Sequence, residues 1–184
     1  ERSEIIREVQ SLAPHDHAVL FYSDINAKHA LVFHFLEEAF HKQGLGVYAT
    51  SHEPFDEVRD AMRRWGINVD RHESESSLRI CNHPEVTAAN GRLSNVKLDQ
   101  WLGDLAKHRG PVKVASDLTL LVKRGMVDEI VREERALGRR LKLPLTLVCA
   151  YEENVTDTRN GEFLIEMLRA HSHVVFPSIA MPLI

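Results

Sequence analysis

Short, mostly apolar runs separated by helical stripes set the terms for what this chain can fold into. Ala18-Val19-Leu20-Phe21-Tyr22 is one such run. Val47-Tyr48-Ala49-Thr50, Leu78 to Cys81, Val112 to Ala115, Leu145 to Ala150 and Val174-Val175-Phe176 repeat its character. A strand with one wet face alternates apolar and polar residues, whereas a strand that is apolar throughout must be covered on both faces. Between the runs, apolar residues recur at helical spacing. Ala30 to Phe40 is apolar around most of its circumference, which predicts a well-buried helix. Phe55, Val58, Met62 and Trp65 share one helical face, as do Leu98, Trp101, Leu102 and Leu105, so both tryptophans are expected in the core. Val127, Ile130, Val131, Leu137 and Leu141 form a further stripe, with Arg132, Glu133, Glu134, Arg139 and Arg140 as its wet side. Phe163, Leu164, Met167 and Leu168 form the last. Strands alternating with helices imply βα units and an α/β fold of three layers, with a mainly parallel central sheet of at least five strands.

Local signals punctuate that pattern. Gly44 and Gly46 are expected to end the first core helix in the left-handed conformation, and Gly66 to do the same after Trp65. Pro144 falls between a helix and a strand, and Asn90-Gly91 reads as a turn. Residues 67–95, polar around Glu73-Ser74-Glu75-Ser76-Ser77, read as loop and insertion around one strand. The 184 residues suit a single domain 1–184, with a helical extension at 1–14 and the α/β core at 15–184.

Composition excludes several classes. With 43% hydrophobic and 27% charged residues the chain has a globular balance. A formal net charge of −4 gives no global field for nucleic acid, and none is expected as a partner. Cys81 and Cys149 both lie in apolar runs and read as buried thiols rather than a disulfide, which suits a reducing, cytoplasmic setting. No apolar run approaches the roughly 20 residues that span a membrane. The charged opening Glu1-Arg2-Ser3-Glu4 is unlike a signal peptide. A start other than Met is read as a sign that the chain is a fragment of a longer protein.

In parallel sheets ligands bind beyond the carboxyl ends of the strands. Polar groups collect there in this sequence: Tyr22, Ser23 and Asp24 after the first run, His52 and Glu53 after the second, Asn82-His83 after the third, Ser116 and Asp117 after the fourth, and Tyr151 after the fifth. Tyr22, Ser23, Asp24, His52, Glu53, Ser116, Asp117 and Tyr151 are therefore the candidate ligand-binding residues, with Tyr22, Glu53, Asp117 and Tyr151 expected to line one pocket. Asp117 has the alternative of capping the turn that follows it. A phosphate-binding loop needs glycines in the first βα connection and a Lys followed by Ser or Thr. Ser23 to Ala30 has no glycine, and Lys28 is followed by His29. Nucleotide hydrolysis is not expected, although the helix start could still take an anion. Eleven histidines invite a metal reading, but no His-x-x-x-His or Cys-x-x-Cys pair supports a full ligand shell, so neither a metal nor a cofactor is expected. His17 is assigned a structural hydrogen bond.

Several segments together resemble a known family. His15-Asp16-His17-Ala18-Val19-Leu20-Phe21-Tyr22-Ser23 resembles the opening of the MEDS domain, a sensory domain of methanogens, methylotrophs and the dichloromethane regulator. Phe35-Leu36 through Gly44-Leu45-Gly46-Val47-Tyr48-Ala49-Thr50 is similar to its first helix and second strand. Ser116-Asp117-Leu118-Thr119-Leu120-Leu121 is similar to its Gly-Glu-Met-Thr-Trp-Ala segment, with Thr119 kept. Cys149-Ala150-Tyr151 matches its Cys-x-Tyr strand, and Ala170-His171-Ser172 resembles its closing His-Pro with the proline lost. The resemblance implies a RecA/KaiC-like core whose phosphate loop is lost. It implies a non-enzymatic role in signal transduction or transcription regulation, sensing a small hydrocarbon-type ligand and acting through an output domain or partner signalling protein. Apart from the resemblance, a homodimer is carried as one candidate assembly. Two rival readings are a degenerate nucleotide-binding module without hydrolysis, and an interaction domain that docks a partner through the charged helix around Arg132 to Arg140.

Overall fold

The apolar runs all become strands of one sheet in the computed structural model, which describes residues 2–159, 161–176 and 179–182. The strands are β1 (His17–Tyr22), β2 (Leu45–Thr50), β3 (Leu78–Asn82), β6 (Val112–Asp117), β7 (Thr146–Glu152), β8 (His173–Phe176) and β9 (Ile179–Pro182), and their spatial order is β3-β2-β6-β7-β1-β8-β9. Every pairing is parallel except β8 with β9. The two short strands β4 (Ala88–Ala89) and β5 (Arg92–Leu93) form a separate hairpin. Burial runs unbroken along β1, β2 and β6, which is why their sequences show no polar alternation.

Helices cover both faces. On one side lie α1 (Arg2–Ser11), α2 (Ile25–His41), α3 (Phe55–Arg64) and α4 (Val69–Ser74). On the other lie α6 (Asn95–Leu105), α7 (Thr119–Lys123), α8 (Val127–Leu137) and α9 (Glu162–Ala170), with the single turn α5 (His83–Thr87) leading into the hairpin. Successive strand residues point to opposite faces. Ala18, Leu20 and Tyr22 of β1 thus pack with Leu31, Phe35, Val58 and Met62, whereas Val19 and Phe21 pack with Leu102, Ile130, Phe163 and Met167. Ile5 and Val9 of α1 join the first of these cores, so the amino-terminal helix is part of the layer it covers. The result is the three-layer α/β architecture, and the sheet divides its interior into two cores.

Three local expectations need correction. The segment 67–95 holds α4, β3, α5 and the β4–β5 hairpin. Elements of two to six residues are too short to show a period, although Asn90-Gly91 does turn the hairpin as expected, at φ 53° and 74°; Asn68 and Asn82 cap α4 and α5. Trp65 is 39% exposed, because α3 ends at Arg64 and leaves the indole edge-on to His34 rather than beneath the helix. The left-handed residue after α2 is Gln43 (φ 56°), not Gly44 or Gly46. Gly44 is needed for closeness instead: a Cβ there would stand 2.1 Å from the Pro111 carbonyl oxygen. Gly66 does take the left-handed conformation expected of it, at φ 86°.

These glycines make opposite predictions. Gly44→Ala must force α2 and the start of β6 apart and is expected to cost about 1–3 kcal/mol. Gly103→Ala, inside α6 with nothing within 4 Å of the added methyl, should raise stability by about 0.5–1 kcal/mol. Denaturant midpoints of the two variants against the parent chain measure both.

Candidate functional site

At the carboxyl ends of β1, β2 and β6 the backbone brings four ionisable side chains together. Tyr22 and Asp117 are the last residues of their strands. Glu53 sits three residues beyond β2, held by a hydrogen bond from its amide to Thr50 Oγ1 at 2.9 Å. Lys28 comes from the first turn of α2 and is fully buried. Its ammonium donates to Asp117 Oδ2 at 2.7 Å and to Glu53 Oε1. Tyr22 donates to the same Asp117 oxygen at 2.8 Å and lies 3.1 Å from Thr119 Oγ1. Tyr48 donates to Glu53 Oε1, and His29 Nε2 lies 2.6 Å from Glu53 Oε2. The ammonium also stands over the Tyr22 ring, 5.0 Å from its centroid. Asp117 does cap its turn, since Oδ1 accepts the Thr119 amide at 3.0 Å, but Oδ2 is left for the lysine and the tyrosine.

The electrostatics follow from burial. Desolvation by itself would raise the Glu53 pKa. The hydrogen bond from His29, the Lys28 charge and hydrogen bond, and the Tyr48 hydroxyl outweigh it and hold the carboxyl at about 2. Burial and the Asp117 charge push the Tyr22 and Tyr48 hydroxyls far above their ordinary range, so both act as neutral donors. A cation could be held by His52, Glu53 and Asp117, but the Lys28 ammonium already bonds two of those three. The lysine that a phosphate-binding loop would offer to an anion is thus turned inward and neutralised by two carboxylates. The start of α2 is closed to an anion as well, because the Asp24 carboxylate accepts the Ala27 amide at 2.9 Å.

The structure divides the eight sequence candidates. Tyr22, Glu53 and Asp117 meet directly, and His52 Nδ1 approaches Asp117 Oδ1 at 3.9 Å. Ser23 and Asp24 are exposed, Asp24 serving as the helix cap. Ser116 and Tyr151 do not join this group, so the expected four-residue pocket is not formed. In register, Tyr22 pairs with Glu152 and Asp117 with Ala150, which turns Tyr151 and Ser116 to the opposite face. Lys28, His29 and Tyr48 were not among the candidates. Tyr48 gives no signal inside its strand. Lys28 gives one, because it interrupts the buried stripe of α2 that continues through Leu31, Val32, Phe35 and Leu36.

Tyr151 belongs to a second polar cluster, beneath α8. Its hydroxyl donates to Glu134 Oε1. Glu134 Oε2 lies 3.1 Å from His17 Nε2 and 3.3 Å from His171 Nε2, and Cys149 Sγ is 3.5 Å from His17 Nε2. The two imidazole rings lie with centroids 3.9 Å apart, tilted by 39° to one another. His17 makes the expected hydrogen bond, to the Gly138 carbonyl at 2.8 Å, but it also faces this cluster. Glu133 and Glu134 are 3% and 1% exposed, which corrects their assignment to the wet side of α8. Glu134 stands one turn beyond Ile130 and one before Leu137, on the apolar stripe itself. Other charges of this segment are engaged within the chain, Arg135 with Glu166 and Arg140 with Asp16. Beside the cluster, between the sheet and α6 and α8, is a narrow cavity with room for about one water molecule. Leu98, Trp101, Leu102, Ile130, Ser116 and Cys149 are among its walls.

Comparison with known proteins agrees with this architecture. The family model described as the methanogen/methylotroph, DcmR sensory domain (MEDS) matches residues 16–172. A comparison with curated proteins finds no match. Among solved structures, a KaiC-like protein from the hyperthermophilic archaeon Pyrococcus horikoshii superposes with a TM-score of 0.62 at 15% identity, covering 89% of this chain and 72% of that one. A second Pyrococcus horikoshii protein gives 0.62 at 11% identity, covering 97% and 90%. These likenesses establish a KaiC-like fold.

Two outcomes test the rim cluster. Lys28→Met leaves two buried carboxylates without their cation and should cost about 3–5 kcal/mol near pH 7. The Glu53 carboxyl has a lower pKa folded than unfolded, so its contribution is complete above about pH 4.5 and is lost as the pH falls toward about 2. Glu53→Gln should therefore flatten the acid limb of a stability-versus-pH profile followed by thermal melting.

Proposed function

The chain belongs to the MEDS family of sensory domains, and on that premise we propose that it is a non-catalytic sensor of a small, hydrocarbon-type molecule, acting in the cytoplasm on an output domain or partner signalling protein. One observation carries the non-catalytic part: Lys28 is buried between Glu53 and Asp117. A nucleotide-hydrolysing relative of this fold would need that ammonium for phosphate, and here releasing it would strand two carboxylates in the interior. The apolar part of the reading is supported by the cavity at Trp101, Leu102 and Ile130. As the side chains stand the cavity holds no more than about one water-sized group, and a ligand enters by displacing the half-buried Trp101 indole. Affinity would come mainly from burial, at roughly 25 cal/mol per Å2 of apolar surface. Ser116, Cys149 and His83 would give the wall polar points beside the glutamates.

The test is a pair of measurements on the purified chain. Small apolar and halogenated compounds are expected to raise the melting temperature in a dose-dependent way, because they bind only the folded state. Nucleotides with magnesium are expected to leave it unchanged, with phosphate release at the level of a protein-free blank. A shift given by nucleotides alone would favour the degenerate nucleotide-binding module. Magnesium-dependent phosphate release that scales with protein and vanishes in Lys28→Ala would overturn the non-catalytic reading.

A further inference from the structure

We propose that His17, Glu134, Cys149 and His171 form a buried four-ligand site for a divalent transition metal ion of the zinc class. The four residues come from β1, α8, β7 and the connection between α9 and β8, so nothing in their sequence spacing announces them. One ligand atom from each lies within 4.8 Å of every other, and all four residues are buried. Three edges of the cluster, 3.1, 3.3 and 3.5 Å, compare with about 3.3–3.6 Å for a tetrahedron built on ordinary zinc–nitrogen, zinc–oxygen and zinc–sulfur bonds.

The hydrogen bonds on the outside of the cluster decide which way its lone pairs face. His17 Nδ1 is 2.8 Å from the Gly138 carbonyl, and His171 Nδ1 is 2.6 Å from the Met167 carbonyl. A carbonyl only accepts, so both Nδ1 atoms carry the hydrogen and both neutral rings turn a bare Nε2 inward. Metal-ligating histidines are oriented in this way by their outer hydrogen bonds. Glu134 Oε1 is taken by Tyr151, which leaves Oε2 aimed at the two bare nitrogens. Three acceptors therefore converge, with the Cys149 thiol beside His17 Nε2 as the one donor among them, and Glu134 Oε2 and His171 Nε2 are both without a hydrogen-bond partner at full burial. An extra proton on His171 would serve Oε2 while the thiol serves His17, but only by holding a charged imidazolium in a fully buried layer. A cation at the centre satisfies all of them at once. Charge also balances, since a thiolate and a carboxylate offset a divalent ion, and two imidazoles with one sulfur favour zinc-class metals over magnesium or calcium. Binding displaces the Cys149 thiol proton to solvent. Because Cys149 and Glu134 also line the apolar cavity, the ion would form part of its wall.

Cobalt(II) reports on such a site. The full chain, reduced and freed of metal, is titrated with Co2+ alone and then with Zn2+. Expected are visible absorption of four-coordinate cobalt saturating at one ion per chain, a near-ultraviolet thiolate-to-cobalt band, and loss of both on adding one equivalent of Zn2+, with a higher melting temperature. Cys149→Ser and His171→Gln should lose stoichiometric binding. Cys81→Ser, whose thiol lies outside the cluster, should keep the whole spectrum, so the assignment stands on that variant even if Cys149→Ser fails to fold. The proposal is overturned if the parent chain gives no cobalt spectrum, if cobalt binds without the sulfur band, as surface histidines would hold it, or if Cys81→Ser abolishes the band.

Discussion

A parallel sheet covered by helices on both faces has no water on either side of its central strands, and that dryness governs the placement of every polar group in this protein. A polar side chain on β1, β2, β6 or β7 must find its partner inside the protein. Tyr22 and Asp117 find theirs in Lys28 and Thr119 at the strand ends, and Tyr151 finds Glu134 on the other face. The helices answer with charges of their own. Lys28 and Glu134 each occupy a core-facing position of a helix, and each is the group around which a polar cluster is assembled. Breaking either pairing leaves an uncompensated charge in an apolar layer, which is far more costly than the pair itself is stabilising.

The fold was legible because its signals are long. Apolar runs of three to six residues and stripes extending over several turns define the sheet and the principal helices. The short elements between residues 67 and 95 were not, since a single turn or a two-residue strand has no period to detect. The sites were legible in part. The rule that ligands gather at the carboxyl ends of parallel strands picked out Tyr22, Glu53 and Asp117, which do meet. The same rule gathered Ser116 and Tyr151 wrongly, because it ignores the alternation of faces: each sits next in sequence to a residue that points the other way. Assigning the charges of α8 together to its wet side hid Glu134, whose position between Ile130 and Leu137 places it on the stripe. A charge on an apolar stripe marks both clusters, and at Lys28 and Glu134 it was present in the sequence. Which histidines would meet was not, since His17 and His171 are brought together only by the pairing of β1 with β8.

The likeness to KaiC-like structures is one of fold. Within that fold the start of α2 is closed by Asp24 and Lys28 is drawn inward by Glu53 and Asp117. The rim becomes a brace between α2 and the sheet. The opposite core, under α6 and α8, is then left as the region with both a void and unmatched polar atoms.

The one-residue offset between neighbouring side chains on β6 has a consequence for how the family can drift. Ser116 and Asp117 are adjacent in the chain yet belong to opposite cores. Substitutions at these two positions can accumulate along separate lineages, each core adapting without regard to the other. Changes of length cannot, because a single inserted or deleted residue within β6 would exchange the two faces and send a carboxylate into the wrong layer. Indels should therefore be purged from the central strands and tolerated at turns such as Asn90-Gly91, leaving descendants that differ freely in composition but share one strand metre.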